Sequence, residues 1–416
     1  MTEITRIFDL LPHYLENFKP KDDALAVKED GVWKKISIAQ YIQTSDNLTY
    51  GLIALGVKPG DTIATITNNR PEWNFLDMAI MQAGAIHVPV YPTISPADYQ
   101  YIFNHAEIKF VFVAGEEMSK KIREVATSCP SVQEVFSFKL RKDFRNVYDI
   151  VELGQEKPVP EEVEKIKAGI KPADLATIIY TSGTTGNPKG VMLSHNNIIS
   201  NFKAVSYIPT FGEEGKALSF LPLCHVYERM LNYLYQYLGI SIYYAESLAT
   251  ITDNIKEIHP DMMCCVPRLL EKIYDKIQAT GRKLKGVKRM IFFWAVDLAL
   301  HYDVQGNNNA WYMLRHRIAD KLIYSKWREA LGGNFKIIVS GGASIQPRLV
   351  KTFRAAGLPI YEGYGLTETS PVVAVTSTDH NGIKIGTVGP PLRGVEVKIA
   401  EDGEILARGQ IGRAHV

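Results

Sequence analysis

The chain has 416 residues, 46% of them hydrophobic, enough to bury a large core and to form two or three units at roughly 150 residues each. Charged residues make up 22% and the net charge is +2, which excludes the basic balance of a general nucleic-acid binder and leaves only local basic patches for an anionic surface. No uninterrupted apolar window approaches the roughly 20 residues of a membrane span.

The N-terminus, "MTEITRIFDLLPHYLENF", carries acidic residues where a signal peptide would be basic, and no long apolar run follows. Between residues 37 and 115, amphipathic stretches alternate with short apolar runs: "DTIATIT" after the turn "KPG", "AIHVPV" ending at Tyr91-Pro92, and "KFVFVAG". That alternation predicts a mostly parallel sheet covered by helices. The polar, Pro-bearing "EKPVPEEVEKIKAGIKPADLA" reads as a surface connection into the next strand, "ATIIY".

A loop follows, "TSGTTGNPKG", with Gly183, Gly186 and Gly190 for tight turns, Thr181, Ser182, Thr184 and Thr185 as hydroxyl donors, and Lys189 as a cation. Backbone N–H groups, hydroxyls and one ammonium suit a polyphosphate. The common P-loop is disfavoured, because Asn187 and Pro188 separate Gly186 from Lys189. Ser194 is placed to cap a helix starting near His195, and "VYERMLNYLYQYL" sets Val226, Met230, Leu231, Leu234 and Leu238 at helical spacing. "NFKIIVSGGA" is a buried strand entering a glycine turn. "GVEVKIAEDGEILARG" alternates in period two about Asp402-Gly403, a hairpin that opens an all-β unit near residue 380. The four cysteines, Cys129, Cys224, Cys264 and Cys265, lack metal or disulfide spacing and read as buried free thiols in a reduced, cytoplasmic setting.

Taken in order, "YTSGTTGNPKG", "SGGA" (Ser340 to Ala343), "YEGYGLTET" (Tyr361 to Thr369) and "GTVGPPLRGVEVKIAEDGEILARG" resemble the adenylate-forming acyl-CoA synthetases, luciferases and peptide-synthetase adenylation domains over nearly the whole chain. The resemblance implies an α/β fold, the large N-terminal AMP-binding domain of adenylate-forming enzymes. Two mixed or parallel sheets with flanking helices, in two α/β subdomains, would fill residues 1–379, and residues 380–409 would start a β-barrel-like subdomain. The small C-terminal lid domain of the family is expected to be absent. After "GEILARG" the family pattern continues with Pro and an apolar stretch, whereas "QIGRAHV" resembles a translated sequencing adapter; residues 410–416 are expected to be a non-native tail.

The resemblance also implies ATP, Mg2+ and coenzyme A as co-substrates and cofactor, and a carboxylic acid as the group activated. Its nucleotide site would comprise Thr181, Ser182, Gly183, Thr184, Thr185, Gly186, Lys189, Gly341, Gly342, Ala343, Glu362, Gly363, Tyr364, Gly365 and Thr367. Tyr364 offers a flat face to adenine, and the glycines let backbone approach base and ribose. Thr367 would bond the α-phosphate, and Lys189 the leaving pyrophosphate. Glu368 is a hard ligand for Mg2+, with Thr184 implied as a second. His225 would sit beside the acyl carboxylate; a capping or core histidine is the plainer reading.

"LPLCHVYERMLNYLYQYLGI", "CCVPRLLEKIYDKI" and a helical insertion over about 280 to 332 look most like long-chain fatty acid–CoA ligases. "MIFFWAVDLAL" and the Tyr-rich helix after His225 are candidates for an acyl tunnel, with ordinary core as the commoner alternative. Arg282 to Arg289 are candidates for anionic headgroups at the inner face of a membrane, with a solvated basic face as the commoner alternative. Two other functions stay open: a ligase for a medium-chain, aryl or carrier-protein-linked acid, and a fragment that binds adenylate without turnover. No nucleic-acid partner is expected, and composition is silent on oligomeric state.

Overall fold

Strands form where short β-branched or aromatic runs follow tight turns, and the computed structural model describes residues 3–139, 144–181, 186–377 and 383–415. In chain order the strands are β1 (Leu25–Glu29), β2 (Val32–Ile36), β3 (Thr62–Ile66), β4 (Ile86–Pro89), β5 (Ile108–Val113), β6 (Glu134–Ser137), β7 (Leu175–Thr181) and β8 (Lys189–Ser194). They continue with β9 (Lys216–Ser219), β10 (Ser241–Tyr244), β11 (Met262–Cys265), β12 (Ile337–Ser340), β13 (Ile360–Gly365), β14 (Val372–Val375), β15 (Glu396–Ile399), β16 (Ile405–Arg408) and β17 (Arg413–His415).

One sheet has the order β14-β13-β12-β11-β9-β10-β1-β2 and the other β17-β8-β7-β4-β3-β5-β6. Pairing is parallel between the inner strands and at the β6 end, and antiparallel at the other ends, where β1 meets β2, β13 meets β14, and β8 lies between β7 and β17. Helices cover both faces of such sheets, so every residue of β3, β10, β11 and β12 is buried.

The alternation of residues 37–115 appears as helix Ile38–Ala54, β3, helix Pro71–Gln82, β4, helix Pro96–His105 and β5. Ser37 and Ser95 cap two of these helices, and Ser194 caps helix His195–Val205 by accepting the Asn197 N–H. The segment read as a plain connection contains a helix, Pro160–Gly169. Pro160 pre-sets its first turn, and Glu161, Glu162 and Lys167 complement its dipole, a local signal stronger than the polar composition. The hairpin about Asp402-Gly403 forms as β15 and β16, with Gly403 at φ 89°. Residues 413–415, set apart as tail in the sequence, lie as a strand against β8. All four cysteines are free and buried. Among the described residues no helix is long and apolar enough to cross a membrane.

A polar network joins the two sheets. Helix Pro71–Gln82 is buried along its whole length, and helix Val226–Tyr237 buries ten of its twelve residues. Buried charge must be paired and hydrogen-bonded to be tolerated there. Arg229 pairs with Asp77, donates from Nε to the Tyr233 hydroxyl at 2.8 Å, and donates to Thr177 Oγ1 on β7 at 2.6 Å. His87 on β4 donates from Nδ1 to Asp77, while its Nε2 accepts the Thr65 hydroxyl of β3 at 2.7 Å. Tyr233 donates to the second Asp77 oxygen at 2.6 Å. On the other side, Tyr244 of β10 donates to Asn232 at 2.8 Å and accepts from Asn74. Burial opposes ionisation of Asp77, but Arg229, His87 and Tyr233 outweigh it and hold the carboxyl below its usual range.

Asp77→Ala should therefore cost about 3–5 kcal/mol in urea unfolding, because it leaves a guanidinium buried without a counter-charge, and Asp77→Leu combined with Arg229→Met should recover much of the loss. A cost under about 1 kcal/mol for Asp77→Ala would show that this pair does not hold the sheets together.

Candidate active site

The signature loop lies between β7 and β8, two antiparallel strands whose register places Thr181 opposite Lys189. Gly190 follows, and a Cβ there would lie 2.8 Å from Ile178 Cγ2, so only glycine lets the two strands close up. Gly186 has φ 110°, a backbone conformation that side chains resist. Four residues assigned to phosphate or metal, Ser182, Gly183, Thr184 and Thr185, lie outside the described residues.

Beside this hairpin is a cavity of about 480 Å³, lined among others by Pro89, Tyr91, Thr181, Gly186, His225 and Thr367. Residues from three separate sequence motifs thus converge on one space. His225 caps helix Val226–Tyr237: its Nδ1 accepts the Tyr227 N–H at 3.2 Å, which puts the hydrogen of the neutral ring on Nε2. Crowding by protein lowers the His225 pKa, although the ring is reachable from the cavity. His225 thus caps the helix and also borders the cavity.

The second and third motifs sit on neighbouring strand ends. β12 and β13 run parallel with Ser340 opposite Glu362, so Gly341, Gly342 and Ala343 leave one strand beside Gly363, Tyr364 and Gly365 on the next. Open α/β sheets hold ligands outside the carboxyl ends of their strands. None of Gly341 to Ala343 or Glu362 to Gly365 lines the 480 Å³ cavity. Tyr227 links the two regions: a Cβ on Gly341 would lie 3.1 Å from its ring, two residues beyond His225. Gly365 is also required by space, since a Cβ there would fall 1.9 Å from the Pro371 carbonyl oxygen.

Helix His195–Val205 fixes the following turn, because Asn201 donates to the Val372 carbonyl at 2.8 Å and accepts the Val372 N–H at 3.1 Å. That clamp seats the short helix Thr367–Thr369 beside β8, with Thr367 buried and Glu368 half-buried. Among the described residues no group of three or more His, Cys, Asp or Glu is placed to hold a metal ion. A single hard carboxylate nevertheless suits Mg2+ that arrives on phosphate oxygens, which needs only one or two protein carboxylates.

None of residues 290–300 lines this cavity. Phe292, Ala295, Val296, Leu298 and Ala299 pack with Tyr324 and Trp327 in a helical core, the commoner alternative for this stretch, and Phe292 also borders a second cavity. The Tyr-rich helix is likewise core, with Tyr233 and Tyr235 buried. The second, largely apolar cavity of about 340 Å³, bordered by Ile277, Leu284 and Trp327, shares no residue with the first. The contributions missed from sequence are Tyr91, Asp77, Arg229 and Glu228. A charged pair inside the apolar run "VYERMLNYL" was the one visible sign of the last two.

Glu228 adjoins the site on the helix that His225 caps. One of its oxygens accepts the Ser219 hydroxyl at 2.6 Å, and burial raises its pKa to about 8. Burial raises Glu362 to about 7, and pushes His87 and His195 down to about 4.

The family model for AMP-binding enzymes matches residues 16–416. The chain is 34% identical over 387 residues to the long-chain-fatty-acid–CoA ligase FadD15 of Mycobacterium bovis, covering 92% of this chain and 64% of that protein. It is 32% identical over 406 residues to fatty acyl-CoA synthetase A of Dictyostelium discoideum, covering 94% and 58%. The chain thus spans less than two thirds of the length of these relatives. Among solved structures, the N-terminal domain of FACL13 from Mycobacterium tuberculosis superposes with a TM-score of 0.73 at 18% identity, covering 98% of this chain and 89% of that one. The long-chain-fatty-acid–CoA ligase FadD1 of Archaeoglobus fulgidus gives 0.74 at 19%, covering 98% and 75%. The fold is that of the N-terminal domains of adenylate-forming ligases.

Between pH 7.5 and 8.5, a full unit or more above the ordinary histidine value of 6.5, His87 and His195 are largely neutral in folded and unfolded chains alike, while the folded chain keeps carboxyl protons on Glu228, and in part on Glu362, that the unfolded chain, with ordinary values near 4.5, has released. Stability should therefore fall as pH rises through that window. The urea midpoint of the parent should drop, and that of Glu228→Gln/Glu362→Gln should stay level; a level midpoint in the parent contradicts the assignment.

Proposed function

Because the chain belongs to the AMP-binding enzyme family, we propose that its protein activates a long-chain fatty acid with ATP through an acyl-adenylate and passes the acyl group to coenzyme A. The observation that carries this reading is the convergence of Thr181, Gly186, His225 and Thr367 on one cavity. Similarity to proteins named as long-chain ligases supports the choice of acid.

In the proposed reaction a carboxylate oxygen attacks the α-phosphorus, and the bond from that phosphorus to pyrophosphate breaks. The thiol sulfur of coenzyme A then attacks the acyl carbon, and AMP leaves with the bonding pair of the anhydride. Neither step needs a covalent enzyme intermediate, so the chain acts by positioning and by neutralising phosphate charge. Neutral His225 donates from Nε2 to the acyl carboxylate and holds it in line. Lys189, opposite Thr181 across the hairpin, meets the departing phosphates together with the loop hydroxyls. Thr367 donates to the α-phosphate, and the glycines at the ends of β12 and β13 admit the nucleoside against Tyr364. Glu368 and Thr184 would hold Mg2+, which when bound neutralises charge on pyrophosphate.

Calorimetry of this chain with non-hydrolysable acyl-adenylate analogues, from acetyl to palmitoyl, tests both nucleotide and acid. Each buried methylene is worth about 0.8 kcal/mol, so affinity should rise roughly fourfold per carbon until the acyl site is filled. Equal affinity along the series would move the assignment to another acid, and no binding by the folded chain would remove the adenylate reading. Lys189→Met should weaken ATP by roughly tenfold to a hundredfold, the scale of a charge-assisted bond, and leave the phosphate-poor acyl-adenylate far less affected.

A further inference from the structure

The helical insertion carries apolar residues on two opposite faces. Helix Gly286–Leu300 is followed by helix Ala310–Ala319, a π-helical turn Asp320–Tyr324 and helix Ser325–Ala330. The inner face is pinned: the Tyr312 hydroxyl donates to the Leu298 carbonyl at 2.8 Å, His316 bonds the Ala355 carbonyl at 2.7 Å, and the Tyr324 hydroxyl donates to the Ala295 carbonyl at 2.7 Å. Ala319, Ile323 and Tyr324 complete this buried side.

The outer face has no such cover. Trp311, Leu314, Ile318 and Leu322 follow one another at intervals of three and four residues, and each is between 41% and 67% exposed. Val287 and Met290, in the first turns of helix Gly286–Leu300, are exposed as well. Arg315 connects the two helices, with its guanidinium 5.7 Å from the centre of the Trp294 ring.

Charge follows the same segment. Residues 282–326 hold nine Lys and Arg against three Asp, a balance of +6 in a chain whose total is +2. Those nine are Arg282, Lys283, Lys285, Lys288, Arg289, Arg315, Arg317, Lys321 and Lys326, and none pairs with a carboxylate among the described residues. A solvated basic face explains the lysines and not the apolar stripe between them. A protein-binding groove explains the stripe and not the surplus of unpaired cations.

We propose that the outer face of this insertion docks on an anionic lipid bilayer, with Trp311, Leu314, Ile318 and Leu322 entering the headgroup boundary and the surrounding Lys and Arg meeting lipid phosphates. Interfacial helices combine these two features: aromatic and aliphatic residues on one side, cations flanking them, and attraction to anionic leaflets. The bound inner face gives the stripe a rigid backing, so little ordering is needed on contact.

The test is co-sedimentation of the chain with vesicles of phosphatidylcholine alone or with roughly a third phosphatidylglycerol, read alongside Trp311 emission. Binding should be confined to the anionic vesicles, weaken at high salt, and shift the emission to the blue, a shift lost in Trp311→Phe. Leu314→Glu/Ile318→Glu should abolish binding while leaving the melting temperature near the parent value, since both side chains are exposed. Each of Arg317→Gln and Lys321→Gln should weaken binding about fivefold, the effect of about 1 kcal/mol per basic residue at such a surface. Equal binding to both vesicle types, or no loss in the double variant, overturns the proposal. So does a concentration-dependent dimer that leaves vesicles unbound and dissociates in Leu314→Glu/Ile318→Glu, which would make the face a contact between two copies. The readout is lipid binding, so it is independent of the adenylate reading.

Discussion

Arg229 is a guanidinium buried between two sheets, and much of the active-site geometry follows from how it is satisfied. Its partners come from β7 through Thr177, from helix Pro71–Gln82 through Asp77, and from its own helix through Tyr233. A buried cation tolerates little displacement, because each lost bond exposes an uncompensated charge to a low-dielectric interior. The helix that carries it therefore has one rotation and one height. His225, which caps this helix, stands one turn before Arg229, with Tyr227 and Glu228 between them, and the same constraint delivers His225 to the cavity and the Tyr227 ring to Gly341.

The electrostatics of the site are built mainly by burial. Neutral forms are favoured at His225, Glu228 and Glu362, where few compensating charges are near. A pocket with few fixed charges of its own suits a ligand that brings several, since hydrogen-bond donors held in place act strongly where water is excluded. The glycines contribute by absence: at Gly365 and Gly190 the space for a side chain is already taken by Pro371 and Ile178, and at Gly341 it is narrowed by the Tyr227 ring.

The helical insertion obeys a different rule. An amphipathic helix on a globular surface normally turns one apolar stripe inward and a polar face outward. Helix Ala310–Ala319 buries Ala319 and half-buries Tyr312 on one side, and still presents Trp311, Leu314 and Ile318 on the other. The excess apolar surface is paired with excess positive charge, and none of the residues concerned lines the cavity with His225.

Much of the fold was legible because its signals are local: the alternation between residues 37 and 115, the serine caps, and the Asp402-Gly403 hairpin each arise from a few neighbouring residues. The signature loop was equally legible, since its glycines, hydroxyls and lysine are adjacent in the chain and set a register of Thr181 against Lys189. Helix Pro160–Gly169 was passed over because its polar composition masked its capping. The role of Arg229 was not readable, since "VYERML" does not reveal which carboxylate 152 residues away will meet it. Nor does the spacing of Trp311, Leu314 and Ile318 tell which face of a helix is buried when both are apolar. By itself the sequence determined the chemistry on offer and the order of its motifs, because those depend on neighbours along the chain. Only the tertiary structure decided that Thr181, His225 and Thr367 share one cavity and that the insertion's second apolar face is left open, because both depend on how distant segments pack.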